Sequence, residues 1–190
     1  MKKLLVLLFV SVPLLSNAQM YEDRMPTKQT KQFEPFHIDV YPDIDIDSVR
    51  FYAYKYLNEY RASLNLGLNK LIPNKDLEIS STNIAVYCAD KDYLTHFETD
   101  TTSEYYTGYD PGDRCGSDGE CGGICQVELT DPKEIAKRAI ERWIASKRHE
   151  FIIKTNHRYV GFGVSRSPHI VYDETFDYYE GSMYYFVNFQ

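Results

Sequence analysis

Two polar side chains near the end of one helical segment are the first candidates for chemistry. Ser146 and His149 follow the chain's only tryptophan, Trp143, by three and six residues. A hydroxyl beside an imidazole can form a nucleophile–base pair. Because both residues lie at one helix end, capping is the simpler interpretation of Ser146. The sequence has no Gly-x-Ser-x-Gly elbow, and "RHEFI" lacks the second histidine of His-Glu-x-x-His. No nucleophile motif therefore stands out.

The first 18 residues predict export. "MKKLLVLLFVSVPLLSNA" combines two lysines, an apolar run of about a dozen residues and a small residue at its end, which are the features of a secretory signal peptide. Cleavage is expected after Ala18. The run is too short to span a membrane comfortably, and no later segment comes near spanning length. We therefore expect a secreted or periplasmic protein without a membrane span.

Four cysteines form the second candidate group: Cys88, Cys115, Cys121 and Cys125. In an exported chain such a set favours disulfides over thiols. The intervals of five and three residues between the last three cysteines do not match the paired Cys-x-x-Cys of a zinc knuckle. We therefore predict two disulfides, with all three pairings open. One bridge would tie the helix that carries Cys88 to the loop around 115–125.

The charge balance argues against nucleic acid as a partner. The full chain has a formal charge of −7, and loss of Lys2 and Lys3 with the signal peptide leaves 19 basic and 28 acidic side chains, or about −9. Nucleic acids and anionic membranes bind clustered cations. The basic pair Lys147 and Arg148 is better explained as a solvated helix end. The expected partner is an extracellular ligand or protein.

The candidates must be positioned by helices that begin after a polar arm. Residues 19–47 contain prolines and no period, and they predict an extended N-terminal arm. From Val49 to Leu64, apolar residues recur at intervals of three and four, which predicts a helix. Asp47 or Ser48 is the expected cap of that helix.

Two more helices and a set of strands complete the prediction. The second helix is expected over 77–93. The third begins at Pro132, a first-turn position after Asp131, and is expected to bury the stripe of Ile140, Trp143 and Ile144. The segments 158–166 and 182–190 are rich in Tyr, Phe and Val, and they predict strands. Helices first and strands last indicate an α+β fold with helices packed on a small antiparallel sheet.

Five segments, taken in order, resemble one known family. "YLNEYRASLNLGLNKL" resembles the Asn-x-x-Arg opening helix of the CAP superfamily of cysteine-rich secretory, antigen 5 and pathogenesis-related proteins. "DLEISSTNIAVYCADKDYLTHFE" resembles its second helix and the histidine that follows. "RWIASKRH" resembles its Trp-x-x-Ser-x-x-His signature, and "YVGFGVSRS" and "YYFVNF" resemble its last two strands. The likeness covers about residues 48–190 and points to the short, secreted SCP-like bacterial branch. It implies an α–β–α sandwich.

The resemblance also implies a surface cleft lined by two histidines and one or two carboxylates. The histidines carried over to this chain are His96 and His149. The family's Gly-Glu-Asn segment is missing. Its carboxylate falls either on Glu128, at the usual spacing on a candidate strand, or on Glu120, which follows a glycine. Ser146 stands where animal members often have a further acid, so the implied cleft is short of one carboxylate.

The residue types of this implied cleft predict binding of a small ligand or an ion. Two imidazoles and a carboxylate are groups that hold a divalent metal such as Zn, and His96 and His149 are the implied ligands. A non-catalytic domain whose cleft binds a small ligand, a divalent metal or a partner is predicted first. The alternative is a metal-assisted extracellular hydrolase of peptide or cell-envelope material, with Glu128 as general base. The remaining histidines, including His157, are predicted at the surface.

Overall fold

Helices cover both faces of one sheet in the part of the chain that the structure describes. The computed structural model describes residues 44–126, 131–167, 171–173, 178–180 and 182–190. The predicted signal peptide, nearly all of the predicted arm, and Glu128 lie outside these residues.

The described residues form five helices and six strands. The helices are α1 (Ile46–Ser63), α2 (Lys75–Lys91), α3 (Pro111–Cys115), α4 (Pro132–Ala145) and α5 (Lys147–Lys154). The strands are β1 (Ile72–Pro73), β2 (Gly119–Gln126), β3 (Tyr159–Arg166), β4 (Val171–Asp173), β5 (Tyr178–Glu180) and β6 (Ser182–Phe189). Sequence patterns predicted the three long helices and missed the short helices α3 and α5. Across the described ranges, no helix is long and apolar enough to cross a membrane.

Side-chain caps determine where the long helices begin. The Asp45 carboxylate accepts a hydrogen bond from the backbone N–H of Ser48 at 3.1 Å and caps α1. The helix therefore begins earlier than the predicted cap at Asp47 or Ser48. Asp131 caps α4 and Pro132 occupies its first turn, as predicted. Proline suits this position because the first turn leaves its backbone N–H groups without helical partners.

The sheet is mixed, with strand order β1-β3-β6-β2. Strand β6 runs antiparallel to both neighbours and places Phe186 opposite Gly122 of β2 and Gly163 of β3. Strand β1 pairs parallel to β3. The prediction of an antiparallel sheet is therefore wrong at this edge, because a two-residue strand carries no alternation from which its presence or direction could be inferred. Strands β4 and β5 form a separate antiparallel pair.

One face of the sheet packs against α1 and α4. Trp143 of α4 is buried in this layer and donates its indole N–H to the carbonyl of Gly122 at 2.9 Å. The Trp143 ring also contacts Phe162 and Tyr185 edge-on, with ring centroids 6.0 and 5.4 Å away. The tryptophan therefore fixes α4 to β2, the strand that carries Glu120.

Helix α2 packs on the other face almost backbone to backbone. A Cβ atom added to Gly161 would lie 2.1 Å from the carbonyl carbon of Leu77, and one added to Gly163 would lie 2.2 Å from the backbone nitrogen of Thr82. Side chains do not tolerate such distances, so only glycine allows this approach. With helices on both faces, the predicted α–β–α sandwich is confirmed.

Arg61 fixes the end of α5 from a buried position. Its Nη1 donates to the carbonyls of Ile153 and Thr155, the latter at 2.8 Å. Its Nη2 donates to the carbonyls of Asn69 at 3.0 Å and His157 at 3.2 Å. This arginine belongs to the Asn-x-x-Arg pattern of the opening helix. It holds in place the helix that carries the second candidate histidine.

His157 is buried, which corrects its predicted surface position. Its ring stacks on Phe189 with centroids 5.1 Å apart, and within the described ranges its Nε2 has no hydrogen-bond partner. Burial, followed by the charge of Arg61, lowers the pKa of His157. The sequence could not predict this burial because the covering ring comes from the last strand, 32 residues later.

The structure does not show the two predicted disulfides. All four cysteines are described, and none is joined to another. Cys121 and Cys125 lie four residues apart on the α4 face of β2, about 13 Å along a strand. Cys88 packs on the opposite face of the sheet. Disulfides need Cα atoms within about 7 Å, so a bridge between Cys121 and Cys125 does not fit this strand.

Candidate functional site

Two of the candidate residues, His96 and Glu120, meet at the edge of the sheet formed by β2. Glu120 and Gly122 alternate along β2 on the face that α2 covers, and a Cβ atom at Gly122 would lie 3.2 Å from Cε1 of His96. The His96 ring therefore lies over Gly122, and it contacts the Phe186 ring edge-on at 6.1 Å. Helix α5, which carries His149, packs against the other face of β2, where the Cys121 thiol lies 3.9 Å from the His149 carbonyl oxygen.

His96 and Glu120 form a hydrogen-bonded pair. Nδ1 of His96 lies 2.9 Å from Oε1 of Glu120. An ionised carboxylate only accepts hydrogen bonds, so the neutral form of the ring that fits this contact has its hydrogen on Nδ1 and its lone pair on Nε2. The His96 side chain is 33% exposed, whereas that of Glu120 is 2% exposed. The arrangement presents an imidazole with a free basic nitrogen, oriented by a buried carboxylate.

The second oxygen of Glu120 is also engaged. Nη2 of Arg114 donates to Oε2 of Glu120 at 2.6 Å, and Nη1 of Arg114 donates to the backbone carbonyl of His96 at 3.2 Å. Glu120 thus has a partner on each oxygen and little contact with solvent. Its contacts are those of a residue that orients His96. The structure brings Glu120 to His96, whereas Glu128, the carboxylate favoured from spacing, lies outside the described residues.

Glu98 extends this charged network into the interior. Its carboxylate accepts hydrogen bonds from the Thr107 backbone N–H at 2.5 Å, the Thr107 hydroxyl at 2.9 Å and the Gly108 N–H at 3.3 Å. Its Oε1 also lies 3.6 Å from Nε of Arg114. Burial raises the pKa of Glu98, and these partners oppose that effect.

Sequence reasoning missed both Glu98 and Arg114. The only available signal was their proximity to the candidates: Glu98 follows His96 by two residues and Arg114 precedes Glu120 by six. Charged residues near a candidate are common in any polar loop. Sequence spacing therefore did not distinguish these two buried partners from solvated neighbours.

His149 lies in the first turn of a separate helix. Helix α4 ends at Ala145, and Ser146 is both its C-terminal cap residue and the N-terminal cap residue of α5. The predicted single helix ending at His149 is thus two helices. Burial, then the charges of His96 and Arg148, lower the pKa of His149. The Ser146 side chain makes no capping hydrogen bond, contrary to its predicted role.

The described residues offer few donors for a divalent metal ion. In the described part of the chain, no group of three or more His, Cys, Asp or Glu side chains is arranged to hold a metal ion. Nε2 of His96 and the imidazole of His149 are the two suitable donors. Catalytic zinc sites use three protein ligands and a water. The described imidazoles therefore fall short of the three protein ligands of a catalytic zinc site.

Solved structures share this fold at low sequence identity. An outer surface protein from Borrelia burgdorferi has a TM-score of 0.51 and 16% identity over 77% of this chain and 96% of that one. An extracellular SCP-domain protein from Bacillus anthracis has a TM-score of 0.50 and 17% identity over 76% and 41%, so this chain spans under half of it. NaASP2, solved with Zn²⁺, has a TM-score of 0.51 and 14% identity over 75% and 79%.

The family itself is shown by sequence. A comparison with curated proteins finds no match. The family model described as "CAP: Cysteine-rich secretory protein family" matches residues 54–189, well over half of the chain. The match spans the opening helix, the His96–Glu120 pair, the Trp143 helix and the last strand. The chain therefore belongs to the CAP family of cysteine-rich secretory proteins.

Proposed function

We propose that this protein is an exported CAP domain whose cleft binds a small ligand or a divalent metal ion without catalysing a reaction. His96 and His149 are the binding residues, and Glu120 orients His96. The observation that carries the proposal is the engagement of both Glu120 oxygens, at 2.9 Å from His96 and 2.6 Å from Arg114. A carboxylate held in this way orients an imidazole, and a positioned imidazole binds a ligand or metal more strongly.

The competing function, a metal-assisted hydrolase, needs groups that the described site does not supply. Such an enzyme requires a third metal ligand and a general base that reaches the attacking water. Glu120 is buried against its two partners and is unsuited to either task. Glu128 is the base in this alternative, and its assignment rests on sequence spacing.

Export is part of the same proposal. The first 18 residues have the composition of a signal peptide. Two structural relatives are described as an outer surface protein and an extracellular protein. The proposed location is therefore secreted or periplasmic, and the proposed partner is an extracellular small molecule, ion or protein.

A zinc titration of the purified mature protein tests the binding role. His96→Asn keeps a side-chain N–H for Glu120 but removes the ring nitrogen that would bind, and His149→Ala removes the second imidazole. Each variant should lower the Zn²⁺ affinity measured by calorimetry at least about tenfold, because one of two strong donors is lost. Lys147→Ala, an exposed change in the same helix as His149, is the control and should bind as wild type does. Equal affinity in all four proteins contradicts the proposal.

An activity assay tests the non-catalytic part separately. Peptide and peptidoglycan are incubated with wild type and with Glu128→Gln, each with and without a chelator. The proposal expects no hydrolysis above the buffer rate. Chelator-sensitive hydrolysis that falls by about 10²–10⁴-fold in Glu128→Gln, the usual value of a positioned base, would establish the hydrolase instead.

A further inference from the structure

Arg114 acts on His96 directly, through the His96 backbone, and indirectly, through Glu120. Its side chain is 1% exposed and uses two nitrogens at this point. Nη1 donates to the main-chain carbonyl of His96 at 3.2 Å, and Nη2 donates at 2.6 Å to the Glu120 oxygen that does not contact the imidazole. The first contact holds the backbone of His96. The second holds the carboxylate that determines the direction of its ring.

Glu98 holds Arg114 from the other side. Its Oε1 lies 3.6 Å from Nε of Arg114, and the same carboxylate is fixed by three hydrogen bonds from Thr107 and Gly108. Gly108 packs directly on the arginine, since a Cβ atom there would lie 3.0 Å from Cγ and 3.1 Å from the backbone nitrogen of Arg114. The loop between His96 and α3 is thus folded around the Arg114 side chain.

We infer that Arg114, held by Glu98, is the positioning residue of the cleft and keeps Nε2 of His96 directed toward the ligand. The inference rests on the proposed binding role of His96. Glu120 alone can rotate and accept a hydrogen bond from either ring nitrogen. With Nη2 of Arg114 on one oxygen and Nη1 on the His96 carbonyl, the carboxylate and the backbone are fixed together, so only Nδ1 meets the remaining oxygen.

The planar guanidinium is essential to this role. Its fork delivers parallel N–H donors at a fixed spacing, whereas a lysine ammonium is a single point charge on a flexible stem. Arg114→Lys keeps the positive charge between Glu98 and Glu120 but cannot bridge the His96 carbonyl and Glu120 with the same geometry. That variant therefore separates positioning from the neutralisation of buried charge.

Long-range ¹H–¹⁵N NMR of the histidine rings, recorded without metal at pH 7.5, measures the positioning directly. His96→Asn assigns the His96 signals by their disappearance. Wild type should show His96 with hydrogen on Nδ1, and Arg114→Lys should show a mixture of the two neutral forms. In the same proteins, the Zn²⁺ affinity should fall by about 10–100-fold, the usual effect of losing a residue that orients a ligand. Arg138→Gln, which breaks an exposed pair with Glu134, is the control and should change neither result.

The outcomes distinguish this inference from the proposed function. A folded Arg114→Lys with the wild-type ring spectrum overturns the inference, whatever metal binding shows. If wild type binds no Zn²⁺ and Arg114→Lys loses the Nδ1-hydrogen form, the positioning role is supported and the binding proposal is contradicted. If Arg114→Lys does not fold, Glu98→Gln replaces it, because the amide oxygen still accepts from Thr107. An unchanged ring spectrum in folded Glu98→Gln would then overturn the inference.

Discussion

The substitution Glu120→Gln should lower the free energy of unfolding, because both carboxylate oxygens of Glu120 accept hydrogen bonds. Each oxygen now accepts from a donor, Nδ1–H of His96 on one side and Nη2–H of Arg114 on the other. A glutamine amide offers one accepting oxygen and one donating nitrogen. Both contacts then survive only if the His96 ring moves its hydrogen from Nδ1 to Nε2; otherwise one donor faces an N–H group, in a position where the side chain is 2% exposed.

The expected loss of unfolding free energy is about 3 kcal/mol. Removing one member of a buried charge pair costs about 3–5 kcal/mol because the other charge is left without compensation. Arg114 keeps two other partners, Glu98 at 3.6 Å and the His96 carbonyl at 3.2 Å, which places the cost at the lower end. For a domain of this size, 3 kcal/mol corresponds to a fall in Tm of roughly 6–12 °C.

Urea unfolding followed by far-ultraviolet circular dichroism measures this loss. Glu134→Gln is the matched control, since it makes the same chemical change in an exposed pair with Arg138 at 3.1 Å and should cost less than about 0.5 kcal/mol. A Glu120→Gln protein within about 1 kcal/mol of the control would show that the pairing of these oxygens does not stabilise the fold.

Three further predictions concern stability and the thiols. The pKa values of His149 and His157 are lowered from 6.5, so below about pH 6.5 the unfolded chain binds protons that the folded chain does not. The urea concentration at the unfolding midpoint should therefore fall as the pH is lowered below about 6.5. A midpoint that rises instead contradicts this. Gly163→Ala forces a methyl into the α2 backbone and should cost about 3 kcal/mol or more in thermal unfolding, whereas Gly112→Ala, exposed in α3, should cost under about 1; equal costs contradict the packing argument. Burial raises the pKa of the Cys88 thiol to about 12, so Cys88 should react with a thiol reagent far more slowly in the native protein than after unfolding; equal rates contradict this, and a gain of four hydrogens on reduction would support the two predicted disulfides.

Local patterns in the sequence predicted the elements whose formation depends on near neighbours. The start of α4 followed from Asp131 and Pro132, since a cap and a first-turn proline act within one turn. Burial of Trp143 followed from the stripe it shares with Ile140, and the structure buries both. The two histidines of the cleft were found because a family resemblance supplied their order along the chain, information that spacing within one helix does not contain.

The charged network was beyond such patterns because its contacts join residues that are distant in sequence. Glu120 meets His96 across 24 residues and Arg114 meets the His96 carbonyl across 18. Sequence spacing favoured Glu128 because it used only the number of residues between the acid and Trp143. Which acid faces His96 depends instead on the face of β2 from which its side chain projects. The break between α4 and α5 at Ser146 was also missed. The residues after Ser146 have a helical composition, and only the direction of the helix axis changes there.

The direct contact of α2 with the β3 backbone makes this helix and strand one rigid unit beside the segment that carries His96. Helix and strand have no intervening side chains that could repack at Gly161 and Gly163, so they should move as one body and exchange their amide hydrogens slowly. Glu120 is in β2, part of the same sheet, whereas His96 and Arg114 belong to the segment that links α2 to it. A ligand that closes on His96 should therefore protect the amides of that segment, and leave those of α2 and β3 as slow as before.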